Sequence, residues 1–116
     1  MQDFRKLKVW EKGHKLTLEI YKATKAFPTD ERFGLISQMR RSSSSVPTNI
    51  AEGCGRPRNT ELKRFMEISM GSLSELEYQI LLSKDLDYLS PSQFTYLSGL
   101  ATELKKMLSS FIVKLR

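Results

Sequence analysis

The residues of this chain with chemistry to offer are mostly cations, and they come in clusters. Arg40 and Arg41 stand side by side, Arg56, Arg58, Lys63 and Arg64 crowd into one short stretch, and Lys8, Lys12 and Lys15 recur at spacings of four and three. That last spacing puts three lysines on one face of a helix. An arginine fork donates two parallel hydrogen bonds to a phosphate, and lysine adds less directional charge, so such a set suits a polyanion backbone rather than a base sequence. The alternative is structural: Arg40 and Arg41 pairing across helices with Glu52, Glu61, Glu75 or Glu77, and the lysines forming a solvated face.

Nucleophilic and metal chemistry have far fewer resources. One His and one Cys cannot build a structural zinc site, which usually takes four such ligands. His14 follows Gly13 among lysines, with no arginine four to six residues ahead of it, the pairing a small helical ribonuclease would need. Cys54 falls on a core stripe, so neither a Ser-His-Asp nor a Cys-His arrangement can be drawn. The expectation is a protein without catalytic residues, metal or cofactor.

Length and composition set the frame for these residues. A chain of 116 residues with 40% apolar content is one domain, 1–116, with a single core and no disulfide framework. Apolar runs such as Ile80-Leu81-Leu82 are far shorter than the roughly 20 residues that span a bilayer, so the expected setting is soluble and cytoplasmic. The net charge of +6 favours a polyanion partner. It is unevenly spread: residues 1–27 carry +4, 28–58 carry +2, 59–87 carry −3 and 88–116 carry +3.

Helical periodicity appears four times. The first stretch runs from about Phe4 to Ala26 with Val9, Gly13, Leu16, Ile20, Ala23 and Phe27 spaced three and four apart, and Pro28 ends it. The second opens near Thr29 or Asp30 and carries Ile36, Met39, Ser43, Val46, Ile50 and Cys54 to a stop before Gly55-Arg56-Pro57. Pro47 lies inside it. The proline frees the carbonyl of Ser43, so a bend is expected there, with Ser42 to Ser45 able to rescue backbone groups or admit a close neighbour. The third starts at Asn59 or Thr60, either able to cap it, carries Leu62, Met66, Ser69, Leu73, Leu76 and Ile80 on one stripe, and frays near Asp85 to Tyr88. The fourth has Ser90 as N-cap, Pro91 at the first position and Gln93 completing a capping box, and its stripe is Phe94, Leu97, Ala101, Leu104, Leu108, Phe111 and Leu115.

Four such helices with short loops specify an all-α, antiparallel up-down-up-down four-helix bundle with a kinked second helix. Leu100, Met107 and Ile112 widen the fourth stripe, and Phe65, Ile68, Met70 and Leu81 widen the third. Both are candidates for either a broad core arc or a self-association surface. Trp10 and Tyr21 could stack on bases of a single-stranded ligand, although aromatics at helical spacing more often serve the core.

The order of Phe4-Arg5-Lys6-Leu7-Lys8-Val9-Trp10, Ile20-Tyr21, Phe27-Pro28, Glu31-Arg32-Phe33-Gly34-Leu35, Gln38-Met39-Arg40-Arg41, Ser45-Val46-Pro47-Thr48-Asn49-Ile50-Ala51-Glu52-Gly53, Phe65, Gly71-Ser72 and Glu75-Leu76 resembles the 23S rRNA intervening-sequence protein family. That family includes the accessory variability determinant of diversity-generating retroelements. Ser42 to Ser44 depart from its pattern, where alanine is common. The resemblance implies a four-helix protomer, a ring-like homopentamer with a basic surface, binding of RNA or DNA, and in the retroelement branch association with a reverse transcriptase. Arg40 and Arg41 are the matched positions that could serve binding. Asn49, Glu52 and Gly53 admit two readings: a buried polar network that orients Arg41 or a neighbouring subunit, or helix capping and register control with Gly53 allowing close approach. The functional expectation is a non-enzymatic basic oligomer that holds nucleic acid. Its alternative is a structural or protein-binding oligomer with no nucleic-acid ligand.

Overall fold

The computed structural model describes residues 2–115. Among them every regular element is helical: α1 (Lys8–Thr24), α2 (Leu35–Cys54), α3 (Asn59–Asp85) and α4 (Pro91–Lys114), with single 3-10 turns at Phe4–Lys6 and Thr29–Glu31. The three-and-four stripes supply the core. Val9, Leu16 and Ile20 of α1, Met39, Val46 and Ile50 of α2, Leu62, Met66, Leu73, Leu76 and Ile80 of α3, and Leu97, Ala101, Leu104 and Leu108 of α4 form one buried cluster. Each helix packs on its neighbour in the chain and α1 closes against α4, with no close backbone approach of α1 to α3 or of α2 to α4. The extents are 43 × 24 × 20 Å. Since α4 alone is about 36 Å long at 1.5 Å per residue, the helices must lie along the long axis.

Local chemistry moves several boundaries away from those the periodicity suggests. Leu7 is extended (φ −90°, ψ 127°), so Phe4–Lys6 forms a separate turn capped by Asp3, and α1 begins four residues later than the apolar pattern does. Thr29–Glu31 is likewise a lone turn. α2 starts only at Leu35, whose N–H donates to Glu31 Oε1 at 3.1 Å. α3 does begin at Asn59, but Arg58 holds the N-cap position and makes no side-chain cap. The reciprocal box at α4 is formed as its spacing predicts: Gln93 N–H donates to Ser90 Oγ at 3.1 Å and Ser90 N–H to Gln93 Oε1 at 2.9 Å.

Pro47 sits within α2 without interrupting it. Lacking an N–H, it leaves the Ser43 carbonyl without its helical donor. The serines do not answer that carbonyl: Ser43 and Ser44 bond back to Arg40 O and Arg41 O. The donor comes from α1, where the Thr17 hydroxyl lies 2.8 Å from Ser43 O and shares its proton with Gly13 O at 3.0 Å. Buried Gly13 lies in this seam, where a Cβ would make ordinary contact with Val46 at 3.5 Å and with the Pro47 ring at 3.7 Å, so the approach of the two helices does not itself require glycine. On the opposite flank α3 approaches through small groups. Ser69 Oγ donates to Val46 O at 2.8 Å, Ser45 and Ser72 hydroxyls meet at 2.8 Å, and Ser42 Oγ donates to Gln79 Oε1 at 2.6 Å. At Gly53 a Cβ would stand 2.9 Å from Phe65 Cβ, closer than real atoms approach, so only glycine fits.

Thr17→Val keeps the shape and removes the donor, and stranding the buried Ser43 carbonyl should cost about 1–3 kcal/mol. Pro47→Ala restores a helical N–H to the same carbonyl. Urea unfolding of both single variants and the double should therefore show positive coupling, with Thr17→Val nearly harmless in the Pro47→Ala background. Strict additivity would contradict the assignment.

Candidate functional site

The paired arginines of α2 have different surroundings. Arg40 is half-buried and reaches to the end of α1, where Nε donates to Thr24 Oγ1 at 2.9 Å and Nη2 donates to Tyr21 O at 3.2 Å. Its guanidinium carbon stands 4.7 Å from the Tyr21 ring centroid. The last carbonyls of a helix lack internal donors and carry the negative end of the dipole, so an arginine placed there is a clamp. Arg41 is exposed and makes neither an ion pair nor a side-chain hydrogen bond among the described residues. The acids that stood as possible partners for this pair are engaged elsewhere. Glu52 pairs with Arg56 at 3.1 Å, Glu61 with Arg58 at 3.9 Å and Glu77 with Lys105 at 3.1 Å, while Glu75 accepts from Gln79 at 3.1 Å.

Arg56 also lies 5.1 Å from the Phe65 ring centroid. Arg58 faces Glu61 Oε1, a buried oxygen that receives no hydrogen bond. Lys63 is half-buried and Arg64 exposed, neither with an acidic partner among the described residues. On α1, Lys8 pairs loosely with Glu11 at 3.9 Å and Lys12 crosses to Glu103 of α4 at 3.4 Å, while Lys15 is exposed and unpaired among the described residues. These ion pairs are at the surface, where such contacts contribute roughly 0–1 kcal/mol and yield readily to a phosphate.

The nine cations do not make one cluster. Arg40 and Arg41 stand about 22 Å along α2 from the Arg56 to Arg64 corner, at 1.5 Å per residue, and Lys8 and Lys12 of α1 look toward α4. Nor do Asn49, Glu52 and Gly53 form a network around Arg41. Asn49 Nδ2 donates to Ser45 O at 2.8 Å and lies 3.0 Å from Ser45 Oγ within its own helix. Glu52 is exposed, and Gly53 serves the close approach of α3.

Shallow grooves flank α1 on both sides. The groove against α2, about 550 Å³, is lined by Phe4, Trp10, His14, Leu18, Tyr21, Ser44 and Thr48 among others, with no acidic side chain. Trp10 and His14 stack there at 5.0 Å and 8°, and Phe4 meets Trp10 edge-on at 4.9 Å. The groove against α4, about 480 Å³, sets Lys8, Lys106 and Lys114 around Leu7, Val9, Met107 and Phe111. Lys106 and Lys114 escaped the sequence reading. Their spacing, with Ser110 between, places them on one stripe of α4, but only packing reveals that Lys8 faces it.

Cys54 is buried, and burial pushes its thiol pKa up, which keeps it neutral and a poor nucleophile. Among the described residues no three His, Cys, Asp or Glu side chains come together as a metal site, and no helix is long and apolar enough to cross a membrane.

A family model described as 23S rRNA-intervening sequence protein matches residues 5–110. Among solved structures, a protein of unknown function from the S23 ribosomal protein family of Bacteroides thetaiotaomicron is similar at a TM-score of 0.84 and 22% identity. The similarity covers 91% of this chain and 96% of that one, and at such identity it speaks for the fold alone. No curated protein matches the chain.

The two arginines separate experimentally. Arg40→Ala removes the clamp on the end of α1 and should lower unfolding stability by about 1–2 kcal/mol, whereas Arg41→Ala should stay within about 0.5 kcal/mol of the parent. Chemical denaturation compares them directly, and equal losses would contradict the division of roles.

Proposed function

The chain belongs to the 23S rRNA-intervening sequence protein family, and from that premise we propose that it is a non-enzymatic nucleic-acid-binding protein that holds RNA or DNA by the phosphate backbone. The observation that carries this reading is the set of exposed or half-buried cations, Lys15, Arg41, Lys63 and Arg64, that lack an acidic partner among the described residues. Each such cation that neutralises a phosphate releases a counterion condensed on the nucleic acid, so affinity follows salt rather than sequence. The family's description names an intervening sequence of 23S rRNA, which makes RNA the first ligand to test.

In this reading the protomer is an antiparallel up-down-up-down bundle bent at Pro47, assembled in the cytoplasm as a ring-like homopentamer and, in a retroelement setting, working beside a reverse transcriptase. The antiparallel course is supported by contacts that run in opposite order along neighbouring helices: Thr24 with Arg40 and Thr17 with Ser43, then Ser42 with Gln79 and Val46 with Ser69. Self-association is supported by α3, which leaves Ile68, Tyr78 and Leu81 exposed at 41%, 61% and 42%. The rest of the wide arc, Phe65, Met70, Leu100, Met107 and Ile112, is half-buried in the protomer. The same exposed side chains favour the second reading, a structural or protein-binding oligomer without nucleic acid.

Fluorescence anisotropy with labelled RNA and DNA over a salt series decides between them. The expected result is a linear fall of log affinity with log salt, and a slope shallower by roughly one for each of Arg41→Ala and Arg64→Ala. Undetectable binding of both ligands at low salt would contradict the proposal and leave the second reading.

A further inference from the structure

The α1–α2 groove has a chemistry that phosphate binding does not use. Trp10, His14, Leu18 and Tyr21 form a stripe displaced by one residue from the buried Val9, Gly13, Thr17 and Ile20. An amphipathic helix ordinarily carries polar side chains there. Instead Leu18 and Tyr21 are 54% and 41% exposed, and the Trp10–His14 stack ends on an exposed imidazole. From Trp10 to Tyr21 this aromatic strip runs about 16 Å along the helix, enough for a few nucleotides.

Its rim carries cations. Arg40 lies over Tyr21 and commits only two of the five N–H donors that a guanidinium offers. Arg41 shares a stripe of α2 with Ser44 and Thr48, which line the groove. At the far end Arg5 lies 4.5 Å from the Phe4 ring centroid, its charge partly met by Asp3 at 3.3 Å. An apolar floor with cationic ends and no acidic lining complements a ligand that is flat and apolar in one part and anionic in another.

We propose that the α1–α2 groove seats unpaired bases, so that the protein prefers single-stranded RNA or DNA to duplex. This rests on the phosphate-binding reading and adds a base-stacking site to it. Aromatic side chains bind bases of any identity because every base has a π face. In a duplex those faces are stacked on one another and cannot reach the groove, so a duplex keeps only the phosphate contribution.

Trp10 is the single tryptophan, and its emission reports the groove directly. The full chain is titrated with a twelve-nucleotide unstructured RNA, the same sequence as DNA, and the matching duplexes, following both Trp10 emission and anisotropy of a label. The expected result is quenching by either single strand, and roughly tenfold tighter single-strand than duplex binding. Tyr21→Ser and Leu18→Asn, both at exposed positions, should each lower single-strand affinity about tenfold and change duplex affinity less than about twofold. The RNA and DNA arms show whether the 2′-hydroxyl adds to the seat. Equal affinity for single strand and duplex, or Trp10 emission indifferent to the ligand, overturns the groove assignment while phosphate binding stands. Absence of binding in every arm overturns both. If Tyr21→Ser alters the mass measured by light scattering and leaves single-strand affinity intact, the groove belongs to a contact between copies of the chain and the assignment fails.

Discussion

A carbonyl that cannot be satisfied within its own helix governs how this bundle is put together. Pro47 denies Ser43 O its donor, and a buried unpaired carbonyl would cost about 1–3 kcal/mol out of a total stability of roughly 5–15 kcal/mol. The hydroxyl of Thr17 provides the donor from α1, 2.8 Å from Ser43 O. The other flank of α2 follows the same rule. Small side chains admit α3, and their hydroxyls meet each other, Gln79 and Val46 O, so that the polar groups of this seam have partners. Gly53 continues the seam to the far end, where Phe65 occupies the space a side chain would need.

Fixing α1 against α2 also fixes what lies outside the core. A helix held by Thr17 brings the next stripe, Trp10, His14, Leu18 and Tyr21, to the edge of α2. Its large rings then border Ser44 and Thr48 rather than entering the interior. Arg40 secures the other end by holding Thr24 and Tyr21 O, and it is thereby drawn across the tyrosine ring. The groove and its cationic rim are consequences of one packing solution. Charge on the rest of the surface is more dispersed, with weak ion pairs at the α2–α3 corner and a lysine-lined groove between α1 and α4.

Much of the core was legible in the sequence because a three-and-four stripe has only one physical use in a short helical chain. Leu62, Met66, Leu73, Leu76 and Ile80, and the box at Ser90 with Gln93, stand where the pattern puts them. Helix starts were less legible. Apolar spacing runs back through Leu7, and Thr29 or Asp30 offers an opening for the second helix, but backbone dihedrals and the Glu31 carboxylate decide where hydrogen bonding begins. The orphaned carbonyl could be deduced from Pro47 alone. Its donor could not, because Thr17 is 26 positions away and becomes a neighbour only when the helices pack. The same holds for Lys106 and Lys114 beside Lys8, and for the difference between Arg40 and Arg41, which adjacent identical residues give no local means to tell apart.

Ultraviolet crosslinking of the full chain to a short single-stranded RNA, with the modified peptides mapped by mass spectrometry, asks which face the ligand occupies. Crosslinks concentrated on Trp10, His14 and Tyr21 of α1 and on the α2 segment from Arg41 to Thr48 are the expected result. Crosslinks confined to α3 and α4, with that face untouched, would contradict the assignment of nucleic-acid binding to the surface that the Ser43–Thr17 contact builds.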